Sequence, residues 1–478
     1  MPQSNTHTLV DSQSNQRQCW SIIGGFQATM DTPAAKSELK GWAALALLSL
    51  GLAGVFALLL AISRVPNVQS VFPWPLQFFQ KGLVIHVVFS FVVWFLSLLA
   101  GLLTVSTYRL SNGSPHAQNL GPMAIVLGLV AFVLLFVPAL MDRGEASLNN
   151  YVPVIIDPLY YAGLGVFAVS IALQFIRFLI NISNHDGAFD PVSQGVAVGG
   201  VLYIAALVCF GISLGFRWDT PIDAAFNDDV FWAGGHVLQY QNTLLMIVAW
   251  YILGGIAIGK PIIAPSLFKA LIGYFTIAAI GLLSLALIYD PTSYDGRNAF
   301  TWAQFGMAPP TLIFVVAAAF NLKAHKNTVG NLDWQDPALL SLILSVLVFG
   351  LGGYLGLFVD GADTRTPAHY HGVIGGVNLA FIGLFFCFLY PVIGTACKRT
   401  RSLTALVWCY AVGQTFHSLG LFLAGGYGAP RKTAGDDQGI EALGAQVGLY
   451  MMGVGALVAV IGGVMFIWIA ARLLRQSK

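Results

Sequence analysis

Thr366-Pro367-Ala368-His369-Tyr370-His371-Gly372 opens a long apolar run, and its two histidines are separated by one residue. Each residue of an α-helix turns by about 100°, so His369 and His371 project about 200° apart, to opposite sides. They cannot chelate one ion together. Each can bind a separate centre, with the helix standing between the two. Imidazole is costly to place in hydrocarbon, which makes an intramembrane histidine a candidate functional residue.

The surroundings are hydrocarbon by composition. Of the 478 residues, 57% are hydrophobic and 9% charged, against about 25% charged in a soluble protein. The chain is therefore read as an all-α polytopic membrane protein, with lipid as its solvent and no nucleic-acid partner. Apolar runs fall near 42–62, 82–106, 120–141, 153–180, 195–215, 228–258, 265–289, 300–322, 337–359, 368–395, 404–425 and 446–471. Each is long enough for a span of roughly 20 residues. Twelve transmembrane helices put both termini on one side.

Placing the termini in the cytoplasm leaves only Arg64, Lys81, Arg143, Arg217, Arg297, Arg365, Arg431 and Lys432 of the 23 basic residues outside. That bias follows the positive-inside rule and sets the expected topology. Residues 1–37 read as a polar cytoplasmic N-terminal tail without a cleaved signal, and 38–478 as a single transmembrane domain with no internal repeat. Asp219, Asp223, Asp228 and Asp229 gather in one outer loop. The five cysteines form no CxxC or CxxCH, so no c-type heme is attached to this chain. A c-type cytochrome donor would sit on a partner.

Nine histidines are present, and His7, His116, His185 and His325 fall in the tail or loops. His86, in Gly82-Leu83-Val84-Ile85-His86-Val87, reads either as a packing histidine bonded to a neighbouring helix or as a ligand. His236 lies in Phe231-Trp232-Ala233-Gly234-Gly235-His236-Val237-Leu238-Gln239-Tyr240, with Tyr240 four residues on and so on the same helix face. By the expected topology His86, His236, His369 and His371 all fall toward the outer half of the membrane. Paired histidines give a six-coordinate electron-transfer heme, whereas a lone histidine leaves a position open for a gas.

These residues resemble the catalytic subunit I of the heme–copper oxidase superfamily, which includes cytochrome c and quinol oxidases and nitric oxide reductases. Ala368-His369-Tyr370-His371 after Gly352-Gly353-Tyr354-Leu355-Gly356 is similar to its helices 9 and 10. The resemblance implies a twelve-helix fold of the cytochrome c oxidase subunit I type and two hemes. His369 would bind the high-spin, gas-binding heme. His371 and His86 would bind the low-spin heme. The His236 to Tyr240 segment resembles the helix 6 motif whose histidine holds a non-heme copper. Gly428-Ala429-Pro430-Arg431-Lys432 resembles the Gly-Met-Pro-Arg-Arg motif, which implies that Arg431 and Lys432 face heme propionates. His417 matches no ligand position and reads as a packing or hydrogen-bonding histidine.

Two departures matter. Tyr289-Asp290 stands where the family has two adjacent histidines. Either His236 and Asp290, with Tyr289, form a mixed second-metal site better suited to iron than copper, or the metal is missing and Asp290 starts a turn before Pro291. Phe314 stands where the family has its proton-conduit lysine, and the cytoplasmic halves of the helices read as almost wholly apolar. The expectation is a terminal reductase in a bacterial inner membrane that does not pump protons. Its electrons would come from a donor subunit, a c-type cytochrome or a cupredoxin domain. Its substrate would be a diatomic gas, nitric oxide in preference to dioxygen, with Tyr240 and Asp290 assisting. A heme protein that only transfers electrons or senses a gas is the competing reading.

Overall fold

In the computed structural model, residues 21–70, 76–187, 189–359, 361–395 and 399–476 are described. The first twenty residues, with His7 and Cys19, lie outside them, as does Cys397. Twelve helices among the described residues are long and apolar enough to cross a membrane. They are α1 (Pro33–Ser63), α2 (Phe78–Leu110), α3 (Leu120–Leu140), α4 (Pro158–Ser183), α5 (Pro191–Phe216) and α6 (Ala224–Ile258). The second half comprises α7 (Pro265–Ile288), α8 (Tyr294–Thr328), α9 (Pro337–Gly356), α10 (Arg365–Val392), α11 (Arg401–Gly426) and α12 (Leu443–Gln476). Every expected apolar run overlaps one of them, with the largest offset at 153–180, whose first five residues form β2 and the cap ahead of Pro158.

The starts of these helices are written in the chain. Thr32, Asp157, Asp190, Asp223 and Asp336 each accept a backbone N–H at the first turn of α1, α4, α5, α6 and α9. Such a cap satisfies a donor that the first turn of a helix leaves without a partner of its own. Proline follows the cap in α1, α4, α5 and α9, where its missing N–H costs nothing.

The spans α2, α6 and α10 are the most deeply buried, and the others surround them. Neighbouring pairs α3 and α4, α5 and α6, α9 and α10, and α11 and α12 pack together, and α12 returns to α1. A short helix, Ser21–Thr29, buries Ile23 and Phe26 ahead of α1, with Phe26 edge-on to Phe388 of α10. Between α3 and α4 a two-residue pairing, β1 (Ala146–Ser147) with β2 (Val154–Ile155), closes a loop that presents Asn149, Asn150 and Tyr151.

Two π-helical segments interrupt the central spans, Val88–Val93 in α2 and Phe385–Leu389 in α10. An inserted π turn shifts the phase of everything beyond it, and such turns recur at functional sites. The first begins two residues after His86.

Candidate heme-binding site

The turn before α10 builds one end of the site. Asp363 pairs with Pro430 in an antiparallel bridge, Thr364 N donates to Ala429 O at 3.0 Å, and Thr364 Oγ1 donates to Leu421 O at 2.7 Å. Asp363 Oδ1 also accepts from Arg365 N at 2.8 Å. These bonds stitch the Gly428–Lys432 loop to the helix that carries the two histidines. Gly428 has φ +83°, a conformation that glycine adopts without strain.

The two rings of α10 leave it for different neighbours. His369 Nδ1 meets Gly352 O of α9 at 2.8 Å. His371 lies against α2 and α11: its ring is near-parallel to that of His86, with 6.5 Å between centroids and 29° between planes, and is perpendicular to His417 at 4.5 Å. His86 Nδ1 in turn meets Ala53 O of α1 at 3.0 Å. For His86 and His369 alike, a carbonyl at Nδ1 places the proton there and leaves Nε2 as a bare lone pair.

This arrangement fits a heme between His86 and His371. Two metal–imidazole bonds of about 2 Å each and two half-rings of a little over 1 Å add to about 6.3 Å, against the observed 6.5 Å. The carbonyl at Nδ1 of His86 is the outer partner that orients a ligating imidazole and raises its basicity. His369, held the same way on another side of α10, fits a single-histidine heme.

Cations collect at this end of the bundle. Arg431 donates to Asn150 Oδ1 at 3.0 Å, and Lys432 donates to Leu148 O. Arg64, just past the end of α1, donates to Pro430 O at 2.7 Å and to Gln438 Oε1 at 3.3 Å. Burial lowers its pKa to about 10, opposed by the Tyr370 phenol. Burial, with Arg431 beside it, brings Lys432 to about 8, opposed by Asp228. Arg64 was not visible as a site residue in the sequence, where it is one basic residue at the end of an apolar run.

A second metal does not fit the residues expected to hold it. Both nitrogens of His236 are engaged, Nδ1 with Trp232 O at 2.9 Å and Nε2 with the Tyr151 hydroxyl at 2.9 Å. Tyr240 turns away and donates to Ala303 O, lining a cleft of about 390 Å³ with Tyr274 and residues of α7. Asp290 Oδ1 accepts from Thr292 N and Thr292 Oγ1, both at 2.8 Å, which makes it the turn residue after α7. Tyr289 is 43% exposed on the outside of the bundle. Among the described residues, no three His, Cys, Asp or Glu side chains form a cluster able to hold a metal ion. The expected grouping of His236, Tyr240, Tyr289 and Asp290 is therefore corrected: the phenol beside His236 is Tyr151, brought by the α3–α4 loop.

Asp223, Asp228 and Asp229 find partners, and one further expectation changes. Asp228 and Asp229 are ion-paired with Arg297 at 2.5 and 2.8 Å, Asp229 also with Arg217 at 2.7 Å, and Asp223 caps α6. Arg297 also lies 4.2 Å over the Trp232 ring. At the opposite end of the bundle the helices are not wholly apolar. Glu38 of α1 and Arg177 of α4 form a buried ion pair, Tyr108 of α2 donates to Glu38 Oε1 at 2.8 Å, and Gln174 Nε2 donates to Thr104 Oγ1 at 3.0 Å. Phe314 is fully buried against Trp250.

Twelve spans with histidines of α2 and α10 facing each other at one end define a membrane-embedded oxidoreductase of the heme–copper oxidase superfamily. The chain belongs to the family described as cytochrome c and quinol oxidase polypeptide I, whose model matches residues 39–465. A heme–copper terminal oxidase dimer solved by cryo-EM contains a chain of the same fold, with a TM-score of 0.70, 17% identity, and coverage of 93% of this chain and 84% of that one. An uncharacterized protein of Rickettsia prowazekii is 24% identical, over 91% of this chain and 96% of its own length. An uncharacterized protein of Aquifex aeolicus is 28% identical, over 73% and 83%.

Proposed function

We propose that this chain is the two-heme catalytic subunit of a terminal reductase that consumes a diatomic gas and does not pump protons. The observation that carries the reading is the His86–His371 pair, 6.5 Å apart and 29° between planes, with His369 on the same helix turned to another neighbour. When bound, the hemes supply electron transfer at the low-spin position and gas binding at the high-spin one. His86 and His371 hold the first and His369 the second, oriented by the carbonyls of Ala53 and Gly352. Arg64, Arg431 and Lys432 offset the carboxylates that a heme would bring to this end. Tyr151 holds a proton on its hydroxyl oxygen, against His236 Nε2.

Nitric oxide is favoured as the acceptor over dioxygen. Its reduction to nitrous oxide takes fewer electrons and protons than reduction of dioxygen to water, which suits a chain with Phe314 at the conduit position and with its second-metal donors engaged elsewhere. Basic residues bias the termini toward the cytoplasm of a bacterial inner membrane, which turns the histidine end outward toward a c-type cytochrome or cupredoxin donor. The test uses purified protein, heme stoichiometry and consumption of both gases with a chemical reductant. His371→Ala is expected to abolish the low-spin spectrum, and His369→Ala to remove gas binding while leaving that spectrum. Swapped or absent effects would overturn the assignment, and faster dioxygen than nitric oxide consumption would make the protein an oxidase.

A further inference from the structure

Among His86, His236, His369, His371 and His417, the last is the one that neither the family motifs nor the proposed heme ligation employs. Its Nδ1 meets Met452 O of α12 at 3.1 Å. That carbonyl is itself held firmly, because α11 and α12 meet backbone to backbone: a Cβ on Gly455 would strike His417 N, and one on Gly420 would strike Met452 N. The ring of His417 is therefore fixed by a rigid seam and not by its own rotamer alone.

Its face or edge is spent on His371. The two rings are 84° apart with centroids at 4.5 Å, an edge-to-face contact. His371 differs here from the other two candidate ligands. His86 and His369 each take a backbone carbonyl at Nδ1, which fixes the ring plane. Among the described residues the ring of His371 takes no hydrogen bond, and His417, His86 and Arg64 are the titratable groups acting on it. Tethered through Cβ and without a hydrogen bond at its second nitrogen, the ring keeps some freedom of tilt about its side-chain torsions. Two rings besides His86 stand against it, Tyr370 at 5.3 Å and 47° and His417 at 4.5 Å, and His417 is the nearer and the one that crosses its plane.

The three helices are locked independently of this contact. Two turns further into the bundle, Trp94 of α2 donates to Asn378 Oδ1 of α10 at 2.8 Å, and Asn378 Nδ2 donates to Tyr410 OH of α11 at 2.7 Å. Trp94 follows His86 by eight residues, Asn378 follows His371 by seven, and Tyr410 precedes His417 by seven. One hydrogen-bonded triad thus sets the mutual position of the helices that carry all three histidines. With this triad intact, removing the His417 side chain is expected to leave those helices in place and to relax the nearest restraint on the His371 ring.

We propose that His417 is a positioning residue that clamps the plane of His371 near that of His86, and so sets the electronic structure of a heme held between them. The proposal rests on the assignment of His86 and His371 as the two axial ligands. Near-parallel axial imidazoles give a rhombic low-spin ferric EPR spectrum, and crossed ones give an axial spectrum with a larger maximum g value. The test is EPR of the oxidised, heme-loaded protein, with the midpoint potential of the low-spin heme measured alongside.

His417→Ala is expected to keep a low-spin signal but shift and broaden its maximum g, with a displaced midpoint potential. His417→Phe, which restores a flat ring across His371 without a nitrogen, is expected to return both toward the parent values. An Ala variant with parent g values and potential overturns the clamp, as does a Phe variant perturbed as strongly as Ala. Loss of the low-spin signal in His417→Ala makes His417 a ligand and also overturns it. If the parent protein has no bis-histidine signal, the ligand assignment itself fails, which is a distinct outcome read before any variant.

Discussion

Gly352 is the residue whose substitution tests the catalytic side of α10 without touching a histidine. Its carbonyl accepts from His369 Nδ1 at 2.8 Å, and its Cα faces Gly372, so that a Cβ at either position would land inside the other's backbone. In Gly352→Ala the helices α9 and α10 must part by about 1 Å to restore a carbon separation of ~3.5–4.0 Å. Overpacking of this kind costs about 1–3 kcal/mol, and stretching the His369 bond adds roughly 1 kcal/mol. Alanine recovers ~1 kcal/mol as the better helix former. Overpacking wins, so the expected net loss is about 1–3 kcal/mol in detergent unfolding. The spectroscopic consequence is selective. Carbon monoxide binding to the reduced protein, which reports the single-histidine heme proposed at His369, is expected to fall with His369 displaced, while the signal proposed for the His86–His371 pair stays. The reasoning is refuted if Gly352→Ala keeps parent stability and full carbon monoxide binding, or if the low-spin signal is the one lost.

Two other outcomes follow from charges near the membrane ends. Burial and Arg431 bring the pKa of the Lys432 ammonium down to about 8, below the usual lysine value. Carboxylates arriving beside it would raise that value, so heme binding takes up a proton and heme affinity falls as pH rises through about 8; titration of heme retention against pH is expected to show this step, and Lys432→Met to lack it. Glu38→Ala leaves the Arg177 guanidinium buried without its counter-charge, a change worth about 3–5 kcal/mol, whereas exchanging Glu38 and Arg177 together for apolar residues removes that penalty and leaves the Tyr108 hydroxyl unpaired, at about 1–3 kcal/mol; chemical unfolding of the single and double variants checks both.

Most of the fold was legible because hydrocarbon imposes its own grammar. A run of about 20 apolar residues has to be a helix, and all twelve runs are. The opposed directions of His369 and His371 were legible for the same reason, since they depend on helical geometry within three residues. His86 could be paired with His371 only through the family resemblance, because its partner lies 285 positions away in sequence.

What was not legible depends on contacts between segments with no shared period. Tyr240 is on the expected face of α6 by spacing, yet its hydroxyl finds the Ala303 carbonyl. The phenol that meets His236 comes from Tyr151, inside an Asn-Asn-Tyr loop whose shape depends on a two-residue strand pairing. Asp290 shows the same limit from the other side. Its place in the chain suggested a ligand, but an aspartate followed by Pro291 and Thr292 has a local hydrogen-bonding option that costs less than desolvating a carboxylate for a metal. The structure takes that option, with both Thr292 donors at 2.8 Å. The histidines of α2 and α10 had no comparable local option for their Nε2 atoms. That difference is the physical reason His86, His369 and His371 are left able to take the hemes proposed for them, while Tyr240 and Asp290 are engaged elsewhere.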